Sequence, residues 1–169
     1  LFLDQTEFGR PVRDVSIDLQ GSYTPLPATQ GGSITVSAGD VMLDSWAADA
    51  SGVIDRVVTV PNSALGRLTD VTVELRTTGA QEQCGLQQPV TLRIDGDSRV
   101  FSTLADPPLP VGFPSLPQTL MPKVDVATSD RSLVDVSRAV ELIAGLQSLT
   151  SRPLDPEWVT IDETLASSG

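Results

Sequence analysis

Between residues 10 and 104 the apolar residues fall at every second position and not at helical spacing. Val15, Ile17 and Leu19 alternate with polar residues, as do Ile34 and Val36, Val41 and Leu43, and Val58 and Val60. The pattern continues through Val71, Val73 and Leu75, and then Val90, Leu92 and Ile94. Successive side chains of a strand point to opposite faces, so a period of two describes short strands with one face buried and the other in water. Turn-forming residues stand between the runs: Gly31-Gly32, Gly39-Asp40, Pro61-Asn62, Gly79 and Asp95-Gly96. Asp-Gly in particular supplies the positive φ angles of a tight hairpin. Many short alternating strands separated by turn signals predict an antiparallel β-sandwich or jelly roll.

The pattern then breaks. Residues 106–122, DPPLPVGFPSLPQTLMP, hold six of the thirteen prolines, which removes backbone donors and favours an extended, stiff segment. They read as a linker packed on the rim of the first domain. Beyond it, Lys123 to Ala127 is a candidate strand, and Ser129 to Leu149 sets Leu133, Val136, Val140, Ile143 and Leu146 on one helical stripe. Ser129 or Asp130 can cap that helix, and Ser132 with Asp135 offers a second capping register. Trp158 to Ile161 reads as another strand. A β-α-β unit makes its two strands parallel, and such a pair normally belongs to a larger sheet. The expected organisation is therefore a jelly-roll or β-sandwich domain over residues 1–105, a Pro-rich linker over 106–122, and a partial α/β unit over 123–169.

With 169 residues, 40% of them apolar and 20% charged, the chain can bury a core. A net charge of −11 opposes nucleic acid and anionic lipid, so neither is an expected direct partner. The single cysteine, Cys84, forms no intrachain disulfide. No apolar run approaches the roughly 18 to 20 residues that cross a bilayer. The start at Leu1 rather than Met suggests a processed or excised piece with any membrane anchor outside it.

Catalytic chemistry is poorly provided for. The chain has no histidine, hence no imidazole base for a nucleophile and no imidazole metal ligand. Cys84 lies in the polar loop QEQCGLQQP without a nearby Lys or Arg to lower its pKa, and reads as a passive thiol. Asp95 to Asp97, DGD, resembles the start of a calcium loop but lacks the remaining ligand spacing, which leaves a hairpin turn. No spacing singles out a carboxylate pair of the kind that hydrolyses glycosides. TSDRS, between the Lys123 strand and the helix, is no phosphate-binding loop. The chain is expected to be no enzyme, with no catalytic residues, no metal and no cofactor.

Aromatic residues make up only 4% of the chain. Trp46, closing DVMLDSW, and Tyr23, opening SYTPLP, offer flat apolar faces with polar edges, the surface that stacks on sugar rings; the alternative is that both cap the sandwich core. Trp158 belongs to the α/β part, where packing against the helix is expected.

The succession SYTPLP, GGSITVSAGDVMLDSW, DRVVTVPNSALGRLTDVTVELRTTG and CGLQQPVTLRIDGDSRV resembles the family of periplasmic accessory subunits of bacterial cellulose synthases. Ser22 to Pro25 take the place of that family's first strand motif, Ser33 to Asp40 its hairpin, and Val60 and Pro61 the third element. Cys84, Ile94 and Ser98 take the place of the last, and Phe113 to Gln118, FPSLPQ, that of the joint before a flavodoxin-like domain. The family's hairpin asparagine is replaced, the turn here being Ala38-Gly39-Asp40.

The resemblance implies a periplasmic or cell-envelope protein in which jelly-roll, carbohydrate-binding-like domains alternate with flavodoxin-like ones. It implies a tether to the membrane through segments outside this chain and a partnership with the catalytic cellulose synthase subunit. Its task would be to guide the emerging β-glucan without catalysing transfer, with Trp46 and Tyr23 the candidate polysaccharide contacts. Pairing of sandwich edges with sibling subunits, in a homo-oligomer or with the synthase, is the expectation from a purely structural role.

Overall fold

The computed structural model describes residues 1–79, 89–106, 112–128 and 132–161. The chain forms two compact units, one of Leu1–Leu3 with Arg13–Thr103 and the other of Asp4–Val12 with Leu104–Gly169. Sequence alone assigns residues 4–12 to the first domain; in the structure they go with the second.

Period two is realised as strands throughout the first unit. These are β1 (Phe2–Asp4), β2 (Val12–Tyr23), β3 (Gln30–Ala38), β4 (Val41–Ala47), β5 (Val53–Val60), β6 (Leu68–Gly79), β7 (Leu92–Ile94) and β8 (Arg99–Leu104). One sheet has the order β1-β6-β3-β4; the other is β5-β2-β7, with β8 also paired to β2. The pairs β2–β5, β2–β7, β3–β4 and β3–β6 are antiparallel. The fold is thus mainly β with antiparallel sheets, consistent with a β-sandwich. The buried in-phase apolar residues are Val15, Ile17 and Leu19 of β2, Ile34, Val36 and Ala38 of β3, Ile54, Val58 and Val60 of β5, and Val71 of β6. The expected alternation fails at Val41, which is 42% exposed because Asp44 and Trp46 are the β4 residues paired with Val36 and Ile34, and at Val90, which is 45% exposed and precedes β7. Each larger side chain buried in this way contributes about 1.5–3 kcal/mol.

The turn signals are realised unevenly. Gly39 has φ +54° and turns β3 into β4 as expected. Gly31 and Gly32 form no turn and lie inside β3. A Cβ on Gly32 would stand 2.5 Å from Leu26 Cδ1 and 3.1 Å from the Arg76 carbonyl oxygen, so glycine serves close approach here. Asp95-Gly96 closes no hairpin either, because β7 and β8 both pair with β2. Across the interruption Asp95 N–H donates to the Gln20 carbonyl (2.9 Å). The Ser98 hydroxyl then takes over the ladder, accepting from Gln20 N–H (3.0 Å) and donating to its carbonyl (3.1 Å).

In the second unit, β9 (Lys123–Ala127) and β10 (Asp155–Val159) form a parallel pair joined through helix α1 (Leu133–Gln147). The second strand starts three residues before the expected Trp158. Of the candidate caps, Ser129 and Asp130 lie outside the described residues, and Ser132 is the N-cap, its hydroxyl accepting from Asp135 N–H (3.2 Å). The core comprises Met121, Val124, Val126 and Leu154, with Leu120, Ala139, Ile143 and Leu146 against it. Ile143 and Leu146 of the expected stripe pack, partly buried, against this core, whereas Leu133 and Val140 are 86% and 55% exposed. The helix is apolar on more than one side, and a two-stranded sheet covers only the side that carries Ala139. The described part of the proline-rich stretch, read from sequence as a linker, is part of the second unit. It makes short 3-10 turns at Phe113–Ser115 and Gln118–Leu120 and contributes buried Ser115, Gln118 and Met121 to the second unit.

Candidate functional site

Strand β4 is the end of its sheet and β5 the end of the other. Residues paired across an antiparallel ladder share a face. Trp46 pairs with Ile34 and Asp44 with Val36, so the side chains of Asp44 and Trp46 lie on the face that Ile34 and Val36 bury. On β5, Arg56 pairs with Leu19, itself fully buried, which puts Arg56 on the inner face of its own sheet. The guanidinium carbon of Arg56 stands 5.0 Å from the centroid of the Trp46 ring, within reach of cation–π attraction. Its Nη1 lies 3.7 Å from Asp44 Oδ2, with both side chains partly open to water. Trp46 is half-buried. One cluster thus combines an indole, a bank of N–H donors and a carboxylate acceptor at the margin of the sandwich.

Asp44 and Arg56 escape a motif search, and only Arg56 is betrayed by its phase, two residues from Val58 and in step with Val60. On β4 the alternation of Val41 and Leu43 points to the opposite face, and it is the pairing of Asp44 with Val36 and of Trp46 with Ile34 that turns Asp44 inward.

Tyr23 is elsewhere in character. It ends β2, is 5% exposed, and spends its hydroxyl on one neighbour. The hydroxyl accepts from Asp49 N–H (2.8 Å) and donates to the Asp49 carbonyl (3.0 Å) or Oδ1 (3.1 Å). Burial raises the phenol pKa above the ordinary 10.0, and hydrogen bonding to Asp49 modifies it further. The Asp49 carboxyl is held below the usual range, first by the Ser51 hydroxyl, then by Ser51 N–H and by Tyr23. Tyr23 pins the loop between β4 and β5, and its ring is not offered to a ligand.

Comparison with protein-family models, with curated proteins and with solved structures returns no match for this chain.

Cys84 lies outside the described residues. Asp95 is paired with Arg93 (3.4 Å), and no group of three or more His, Cys, Asp or Glu side chains able to hold a metal occurs among the described residues. Trp158, expected to pack against the helix, is 44% exposed. No helix among the described residues is long and apolar enough to cross a membrane.

Proposed function

We propose that this chain is a non-catalytic accessory module of an extracytoplasmic exopolysaccharide synthase, akin to the accessory subunits of cellulose synthases. Its sandwich, of jelly-roll type, meets the emerging β-glucan at Trp46, Asp44 and Arg56. The α/β unit is a partial flavodoxin-like domain, the catalytic synthase subunit is the partner, and the membrane tether lies outside this chain. The observation that carries the reading is the meeting of Trp46 with Arg56 at 5.0 Å and of Arg56 with Asp44 at 3.7 Å. The indole stacks on the apolar face of a hexose, Arg56 donates to hydroxyl oxygens and Asp44 accepts from hydroxyl hydrogens, a combination suited to a neutral sugar. The sequence resemblance and the order of an antiparallel sandwich before a β-α-β unit support the cellular setting.

Calorimetric titration of soluble β-glucans into the wild type and Trp46→Ala, paired with thermal melts, tests this. Binding weakened about tenfold, as expected for loss of a stacked ring, with the melting temperature nearly kept, is the expected result. A variant that melts early yet binds normally while folded makes Trp46 structural. One observation favours that second reading, an assembly module that binds no glycan: Arg56 already lies over the Trp46 ring.

A further inference from the structure

The two-stranded sheet of the second unit has two edges of different chemistry. Asp155 donates its N–H to the Pro122 carbonyl (2.8 Å) across the pair. Main-chain groups alternate along a strand, so Asp155, Glu157 and Val159 address β9, while Pro156 and Trp158 address the outside. Pro156 has no N–H, which deprives the outer edge of β10 of a donor and leaves it unsuited to another strand. On β9 the same alternation turns the main-chain groups of Val124 and Val126 toward β10 and sends those of Lys123, Asp125 and Ala127 outward. These last three residues are exposed, and no third strand joins this sheet among the described residues.

The side chains along that free edge are self-complementary. Lys123 reaches Glu157 on β10 at 3.4 Å and remains mostly exposed. Asp125 makes no ion pair among the described residues. We propose that the outer edge of β9 pairs antiparallel with the same edge of a second copy of this chain, about a two-fold axis at Val124. In that register Lys123 of each copy stands opposite Asp125 of the other, and both residues have their N–H and C=O turned outward. Each Lys–Asp pair therefore exchanges two main-chain hydrogen bonds and sets opposite charges face to face. Centring the axis on Asp125 also matches the outward groups, but it opposes the two Asp125 carboxylates, which destabilises that alternative. The product is a four-stranded sheet in the order β10-β9-β9-β10, with both copies of α1 on one face and a Pro156 edge at either end. The interface is isologous and closes at two copies. It stands whether or not Trp46 touches a glycan, and it puts the partner's β9 where a further strand of a complete flavodoxin-like sheet would pair, so the two occupants exclude each other.

Sedimentation velocity on the whole chain over a wide concentration range tests the pairing. The wild type is expected to form a dimer that weakens as salt rises. Asp125→Lys, which sets lysine opposite lysine twice per dimer, weakens it about tenfold or more. The exchange Lys123→Asp with Asp125→Lys rebuilds both pairs in reverse and restores dimerisation, and it keeps a lysine beside Glu157, the residue in register with position 125. Asp97→Lys, the same charge change on an exposed turn of the other unit, leaves the dimer unaltered. If Asp125→Lys fails to give the wild-type circular dichroism spectrum, Asp125→Asn serves in its place and weakens the dimer by a smaller factor. A wild type that stays monomeric throughout, a dimer indifferent to Asp125, or a double exchange that does not recover would each overturn the proposal.

Discussion

Replacing Tyr23 by Phe isolates the latch between β2 and the loop that follows β4. The ring keeps its buried seat, and only the hydroxyl is lost, with the contacts to Asp49 N–H at 2.8 Å and to the Asp49 carbonyl at 3.0 Å. A net hydrogen bond contributes about 0.5–1.5 kcal/mol, and a buried group left without a partner costs about 1–3 kcal/mol. Asp49 is an exposed residue, so water can replace part of what its main chain loses, and the expected destabilisation is about 1–2 kcal/mol. With a urea m-value of about 2 kcal/mol/M, the midpoint falls by roughly 0.5–1 M. A pH arm adds an independent check. Because the folded phenol pKa lies above 10.0, the folded chain holds that proton more tightly than the unfolded one. The resulting contribution is fully present below pH 10.0 and disappears as pH rises through the folded value. The chain has one tyrosine, so phenolate absorbance reads Tyr23 without interference. A phenolate midpoint at or below the ordinary value, or a Tyr23→Phe chain with an unchanged urea midpoint, would refute the assignment.

Two glycines separate conformational strain from crowding. Gly39→Ala, at φ +54° with open space around it, is expected to cost about 1–2 kcal/mol. Gly52→Ala, at φ +68° with its new Cβ 2.6 Å from the Tyr23 carbonyl oxygen, should cost more than Gly39→Ala by about 1–3 kcal/mol in the same urea titration. Ser132→Ala removes the cap of α1 and should lower stability by about 1 kcal/mol, seen in the melt followed by far-ultraviolet circular dichroism. Arg56→Ala, which uncovers the Trp46 ring, is expected to cost only about 0.5–1 kcal/mol while shifting tryptophan fluorescence.

What could be read from residue order was what local physics decides. Val15, Ile17 and Leu19, or Ile34 and Val36, declare a buried face by phase alone, and Lys123–Ala127 forms a strand over the expected span. Ser132 announces its cap because the bond it makes reaches only to Asp135. The errors lie where distant segments decide. Gly31-Gly32 looks like a turn until Leu26 and Arg76 arrive beside it, and Asp95-Gly96 looks like a hairpin until β2 accepts both flanking strands. Leu133 and Val140 fit an apolar stripe as well as Ala139 does, and only the width of the sheet beneath chooses between them. Of the aromatic pair, Tyr23 is taken by a partner twenty-six residues along the chain, and Trp46 meets its cation on the opposite sheet. Neither partnership leaves a mark near the aromatic residue itself.

The inward charges at the ends of the two sheets bear on how large this sandwich can become. A strand added beside β4 or β5 would lie over Asp44 or Arg56 and strip water from a carboxylate or a guanidinium whose mutual contact, at 3.7 Å, is too loose to compensate for full dehydration. Apolar residues at the same two positions would have made each margin a template for recruiting further chains. The margin made by β4 and β5 therefore carries its own stop signal for lateral growth, and the indole that shelters the guanidinium keeps that signal in place.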